Sequence, residues 1–259
     1  MDLGIRGRAA VLLASSRGLG RACAESLARE GVDLVLNGRT AADLERAADE
    51  IRGTHGVKVA TVVGDATDPM THDALLSACS APDIVLLNGG GPPPTAFGDV
   101  TPEAWRSALD LGLVGPLTFL QRVLPGMCER GFGRIVVVSS AMVKTPNPMM
   151  SLSQGTRLGL IGVLKGVSKE VARHGVTVNQ LLPERFDTDR QEHMARVAMK
   201  LRGITYEEAR AEQVASIRAR RLGRPDEFGD TCAFLCSVPA GFINGQSLLL
   251  DGGSYEGVL

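Results

Sequence analysis

The sequence predicts an α/β fold, a doubly wound parallel sheet of about seven strands with helices on both faces, in a single domain. Three observations predict it. Seven short β-branched or apolar runs, at 9–14, 33–37, 58–63, 84–88, 134–139, 176–181 and 246–250, alternate with longer segments. Those longer segments, at 18–31, 40–52, 70–80, 102–129, 150–173 and 187–237, carry apolar residues at helical spacing. Ile135-Val136-Val137-Val138 is continuously apolar, the pattern of a strand buried on both faces. Strand–helix alternation with right-handed crossovers winds such a sheet in two directions.

Composition bounds the rest. A chain of 259 residues, 44% hydrophobic, fits one large domain with a sizeable core. No linker or repeat divides it, and Pro92-Pro93-Pro94 is too short to separate domains, so 1–259 reads as one unit. A net charge of −1 carries no footprint of nucleic-acid binding. No run of 18 apolar residues suggests a membrane span, and the acidic start at Asp2 is unlike a signal peptide. Five scattered cysteines, Cys23, Cys79, Cys128, Cys232 and Cys236, point to reduced thiols and a cytoplasmic setting. Cys232 and Cys236 are four apart with no histidine nearby, so they are expected to pack rather than to hold a metal.

The first strand runs into Ala14-Ser15-Ser16-Arg17-Gly18-Leu19-Gly20 and then a helix. Glycines let a backbone turn tightly against a pyrophosphate, and a helix N-terminus offers free N–H groups and positive dipole. This is the phosphate loop of a Rossmann fold, provided the strand and helix flank it. The second strand ends at Asn37-Gly38-Arg39. An NAD site places a carboxylate about 20 residues past the loop; here Gly38 stands there and Arg39 follows. Arg39 and Arg17 suit a 2′-phosphate, so the cofactor is expected to be NADP(H). The alternative is two solvated surface charges.

From here the chain resembles the short-chain dehydrogenases/reductases, most closely the 3-oxoacyl-carrier-protein-reductase-like branch. The first loop resembles the family's Thr-Gly-x-x-x-Gly-x-Gly, with Leu13-Ala14 where Thr-Gly is usual. Asp65-Ala66 resembles the adenine-contacting turn after the third strand. Asn88-Gly89-Gly90 resembles Asn-Ala-Gly after the fourth. Pro183 through Thr188 resembles the segment bordering nicotinamide, with Glu184 in place of glycine. Arg224-Pro225-Asp226-Glu227 and Asp251-Gly252-Gly253 match the C-terminal signatures. The resemblance spans nearly the whole chain in the family's order.

Family members carry an Asn-Ser-Tyr-Lys tetrad, and the resemblance places three changes in it. Ser140, after Val138-Ser139, matches the serine that polarises a carbonyl. The tyrosine falls at Ser153 and the lysine at Arg157, in Ser153-Gln154-Gly155-Thr156-Arg157. The asparagine falls at Gly112. A serine hydroxyl does not replace a phenol as proton donor, and arginine does not relay a proton. Arginine does donate to ribose hydroxyls and to an oxyanion. Lys144, four residues past Ser140, and Glu184 are candidate proton donors; the histidines, in loop or surface-helix contexts, are weaker ones.

Gly155, Gly159, Gly162 and Gly166 recur on one face of the helix at 150–173, where close packing would compensate their ~1 kcal/mol cost. Family members pair this helix between subunits, which implies a homodimer or homotetramer. Segment 185–224 carries nine arginines and Lys200 against six acids. The resemblance makes about 187–222 a helical substrate lid, and its charge suits an acyl-thioester substrate; two solvated amphipathic helices are the plainer account. The function implied is an NADP(H)-dependent oxidoreductase acting on a small-molecule carbonyl or acyl thioester through an atypical site. The alternatives are a non-redox cyclase, dehydratase or lyase, and an NADP(H)-binding regulatory protein.

Overall fold

The computed structural model describes residues 1–258. Seven parallel strands form one sheet in the order β3-β2-β1-β4-β5-β6-β7. The strands are β1 Ala9–Leu12, β2 Asp33–Gly38, β3 Val59–Val63, β4 Ile84–Leu87, β5 Gly133–Val138, β6 Val176–Pro183 and β7 Ser247–Leu250. All seven predicted runs are strands, and β6 extends to Pro183. The helices are α1 Gly18–Arg29, α2 Ala41–His55, α3 Pro69–Ala78, α4 Pro102–Leu109, α5 Gly115–Arg130, α6 Ser151–Val171, α7 Asp189–Arg202, α8 Tyr206–Ala215 and α9 Pro225–Cys236.

Side chains alternate across each strand, and that divides the core in two. Ala10 and Leu12 of β1 face Cys23, Leu27, Ile51 and Phe228 on α1, α2 and α9. Val11 and Leu13 face Leu75, Phe119, Val123 and Leu164 on α3, α5 and α6. The chain reverses direction between β1 and β4, which opens a crevice beyond their C-terminal ends.

The longer segments subdivide. In 102–129 a π-helical turn over Asp110–Val114 joins α4 to α5. Pro116 has no N–H to donate four residues back to Gly112, so a ladder bond is missing where the helix widens. The 187–237 segment is three helices, α7, α8 and α9, separated at Gly203 and between Ser216 and Arg224. One expectation is corrected. His72 is not on the surface: it is 1% exposed, bonds the Ala66 carbonyl at 2.8 Å and packs on Phe119.

The α6 glycines divide. A Cβ on Gly155 would meet Trp105 at 3.2 Å and one on Gly159 would meet Leu113 at 3.8 Å, whereas Gly162 and Gly166 face open space. Close packing within the chain accounts for the first two only. Cys232 and Cys236 are buried, and no metal-binding group of three or more His, Cys, Asp or Glu side chains occurs among the described residues. No described helix is long and apolar enough to cross a membrane.

Candidate active site

Two cavities lie along the crevice. The first, of about 410 Å³, is lined by Ala14, Ser16, Arg17, Gly38, Arg39, Asp65 and Ala66 among others. The second, of about 530 Å³, is lined by Gly18, Leu19, Ser140, Ser153, Arg157, Pro183, Glu184 and Thr188 among others. They share Arg17, Arg190 and the wall Asn88–Gly91, so they form one trench. The structure thus brings to the trench every residue named for the cofactor except Gly20, which packs behind the loop against the Ala14 carbonyl, and three of the four named for catalysis. Lys144 is the exception. It is absent from the lining of both, and its ammonium sits 5.4 Å from the centre of the Tyr255 ring.

The first cavity is built from backbone. Ala14 turns the chain at φ 46, in the left-handed region where its family counterpart is glycine. Asn37 Oδ1 accepts from the Ala14 amide at 3.2 Å, and Asn88 Nδ2 donates to the Ala14 carbonyl at 2.9 Å. Asn37 Nδ2 also donates to the carbonyls of Val62 and Gly64, so one buried amide ties three strand ends together. The alanine methyl therefore leaves the loop in place, held from two sides. Gly20 is obligatory, since a Cβ there would lie 2.4 Å from the Ala14 carbonyl oxygen. Arg17 precedes α1 in extended conformation with no side-chain cap, which leaves the first α1 amides free to face the trench.

Gly38 lies against Ser16, whose Oγ would be 3.2 Å from a Cβ at that position. Any side chain there would press on Ser16, no carboxylate is present, and exposed Arg39 follows. Asp65 accepts from the Thr67 hydroxyl at 2.7 Å and the Thr67 amide at 2.9 Å. Those bonds, with nearby Arg39, hold its carboxyl below the usual aspartate range. The donors, the glycine cradle and the arginines fit a dinucleotide bearing a 2′-phosphate.

The second cavity is built from side chains. Ser140 Oγ accepts from the Met142 amide at 3.2 Å, which leaves its proton to donate. Arg157 donates through Nε to Ser153 Oγ at 3.2 Å and through Nη1 to the Val138 carbonyl at 2.8 Å. Burial first, and then the charge of Arg190, push the Arg157 guanidinium down to about 10. It remains a cation at neutral pH. Glu184 moves the other way: burial raises its carboxyl, opposed by Arg185 and reinforced by Asp251.

Gly112 sits in the π turn, where a Cβ would lie 2.7 Å from Thr156 Oγ1. Thr156 thus occupies the space of a side chain at 112. Sequence reasoning missed this contact and Arg190, and it ranked His193 only among the weaker proton donors; both side chains line the second cavity from α7. Arg190 follows Thr188 by two, so its place beside the nicotinamide-bordering segment was a usable signal. The basic character of 185–224 largely dissolves. Seven of its nine arginines, 185, 196, 202, 210, 218, 221 and 224, have carboxylate partners.

Comparison with known proteins gives consistent results. A family profile described as enoyl-(acyl carrier protein) reductase matches residues 13–255. The NADPH-dependent reductase BacG of Bacillus subtilis is 28% identical over 256 residues, covering 97% of this chain and 99% of the relative. The 3-oxoacyl-(acyl-carrier-protein) reductase FabG of Vibrio cholerae is 30% identical, with 98% and 99% covered. Among solved structures, L-sorbose reductase of Gluconobacter frateurii, complexed with NADPH and L-sorbose, matches with a TM-score of 0.94 at 27% identity, covering 100% of both chains. A crevice at the β1/β4 switch point, a glycine-cradled loop and these matches agree: the chain belongs to the short-chain dehydrogenase/reductase family, in its 3-oxoacyl-(acyl-carrier-protein)-reductase-like branch.

Proposed function

We propose that this chain is an NADP(H)-dependent oxidoreductase that interconverts a carbonyl and a hydroxyl group, using an altered centre of Ser140, Ser153 and Arg157. The observation that carries the reading is the continuous trench, in which the wall Asn88–Gly91 serves both the nucleotide cavity and the cavity of Ser140 and Arg157. When bound, NADPH supplies a hydride. Ser16, Arg17 and Arg39 would hold its 2′-phosphate, and the amides of Gly18, Leu19 and Gly20 its pyrophosphate. Ala14, Asp65 and Ala66 would flank the adenosine, with Asn88, Gly89 and Gly90 beneath the ribose. Arg157 would donate to the nicotinamide-side ribose, and Pro183 and Thr188 would border that ring.

Ser140 donates to the substrate oxygen as negative charge develops there, and Arg157 adds positive potential through Ser153. The proton comes from a group other than a phenol. Glu184, whose carboxyl burial holds toward its neutral form, is the candidate donor in that wall, and the His193 side chain lines the same cavity. The substrate class is a ketone or 3-oxoacyl thioester, and α7 and α8 act as its lid. Exposed Leu158 and Val163, beside the unfilled Gly162 and Gly166, form the face that a second copy covers. The five free cysteines support a reducing, cytoplasmic setting for this function.

One observation favours a second reading. Neither Tyr206 nor Tyr255 lines the substrate cavity, so no phenol replaces the family's proton donor there. A non-redox cyclase, dehydratase or lyase, or an NADP(H)-binding regulatory protein, would keep the trench and dispense with the phenol. The deciding experiment is anaerobic incubation of NADPH-loaded protein with a panel of ketones and 3-oxoacyl thioesters, following the reduced-nicotinamide absorbance. Loss of absorbance with one equivalent of alcohol formed supports the reductase. Tight NADPH binding with no oxidation across the panel favours the second reading.

A further inference from the structure

Four arginines line the trench without a carboxylate in ion-pair range among the described residues, Arg17, Arg39, Arg157 and Arg190; the first two are assigned above to the 2′-phosphate, which leaves Arg157 and Arg190. Arg190 lines both cavities, and among the described residues its guanidinium has no hydrogen-bond or carboxylate partner. Its neighbours in sequence behave otherwise, with Arg185, Arg196 and Arg210 all ion-paired. Arg157 bonds only the neutral acceptors Ser153 Oγ and Val138 O. Its third nitrogen, Nη2, makes no described bond and lies 3.8 Å from where a Cβ of Gly91 would stand, on the wall common to both cavities. The two guanidiniums are near enough for Arg190 to oppose the Arg157 charge.

Arg157 is part-buried, whereas Arg190 is exposed at the first turn of α7. A charge withdrawn from water, as Arg157 is, is normally paired, and adjacent like charges destabilise one another. The acids in the wall do not relieve this pair. Asp189 is exposed at the first turn of α7, and Glu184 has Arg185 at 3.7 Å and is itself biased toward its neutral form. Guanidinium forks match the geometry of planar or tetrahedral oxyanions. We infer that Arg157 and Arg190 form a clamp for an oxyanion at the junction of the two cavities, supplied either by the cofactor's pyrophosphate or by a carboxylate on the substrate. Only the naming of these two sources rests on the reductase reading; the unpaired cations do not.

The test is calorimetry on the wild type, Arg190→Met and Arg190→Lys. Inorganic pyrophosphate and NADPH are titrated into the ligand-free protein. Acetoacetate and its neutral ethyl ester are titrated into NADP⁺-loaded and ligand-free protein. Loss of a hydrogen-bonded charge predicts about 10- to 100-fold weaker binding in Arg190→Met, with part of it retained in Arg190→Lys, which keeps charge and loses the fork. Weakening of pyrophosphate and NADPH together, with both ketones unchanged, assigns the clamp to the cofactor. Weakening of acetoacetate with the ester unchanged assigns it to a substrate carboxylate. The ligand-free Met variant keeps or raises its melting temperature, because a repulsion has been removed. The inference is overturned if Arg190→Met binds all four probes within twofold of wild type, or if its ligand-free melting temperature falls and the neutral ester weakens alongside the anions. Wild type that fails to bind NADPH sinks the reductase reading, while pyrophosphate and acetoacetate still judge the clamp.

Discussion

The two halves of the trench are built on different principles. In the nucleotide half, groups are tied down before any ligand arrives: Asn37 and Asn88 hold Ala14 from both sides, Thr67 holds Asp65, and Gly20 admits no substituent. In the catalytic half the groups are less constrained. Arg157 and Arg190 face each other without a carboxylate, and Glu184 is pushed toward neutrality. The contrast teaches where the family's requirements reside. Nucleotide recognition is written in backbone geometry, which tolerates few exchanges. In the proposed function the chemistry would rest on side chains, and at 112, 153 and 157 those differ from the family's tetrad while the frame is kept.

Substitutions on each side sharpen this contrast. The largest effect belongs to Ser140→Ala, expected to lower kcat by about 10²-fold, the scale of one lost oxyanion donor, with a smaller change in KM. Steady-state kinetics on any ketone that the panel identifies measures it, and an unchanged kcat would move the chemistry away from Ser140. On the nucleotide side, Arg39→Ala should weaken NADPH binding by about tenfold or more and leave NADH binding unchanged. Titration calorimetry with both nucleotides reads the difference; equal wild-type affinity for the two would refute the 2′-phosphate assignment.

Gly112→Asn tests whether the exchanged positions are coupled. Alone it should destabilise by about 1–3 kcal/mol, because its Cβ enters the space of Thr156. Combined with Thr156→Ala it should recover most of that loss in chemical denaturation, and additive costs would mean the contact is not the reason. Ala14→Gly should stabilise by about 1 kcal/mol, since glycine adopts φ 46 without penalty; an unchanged melting temperature would show the loop relaxed.

The smallest effect is a slope. Glu184 holds its proton more tightly when folded than when unfolded, so its contribution to stability falls as pH rises from the ordinary glutamate value through the raised one. Glu184→Gln removes that contribution, and its melting temperature should vary less with pH across the window. Parallel curves for the two proteins would place the carboxyl in solvent.

Much of the fold was legible because its strands are buried on both faces, and continuous runs such as Ile84–Leu87 and Ile135–Val138 carry that signal without help from distant residues. Helix continuity was not. The π turn depends on the missing Pro116 donor and on packing of the turn against α6, and helical periodicity alone does not register a one-residue widening. His72 was misplaced although it lies three residues before Leu75, on the same buried face of α3. In the site, the nucleotide residues were legible because each follows a strand end. Arg190 was hidden among nine arginines; the ion pairs of seven others and its place in the lining of both cavities isolate it. The Thr156–Gly112 contact joins two helices and leaves no local trace in either.

That contact also constrains whether such a site can revert. An asparagine at 112 and a threonine at 156 compete for one volume, so the two positions cannot change in arbitrary order. Glycine and threonine therefore act as one unit of the site: a side chain returns to 112 only together with a change at 156 that vacates its volume.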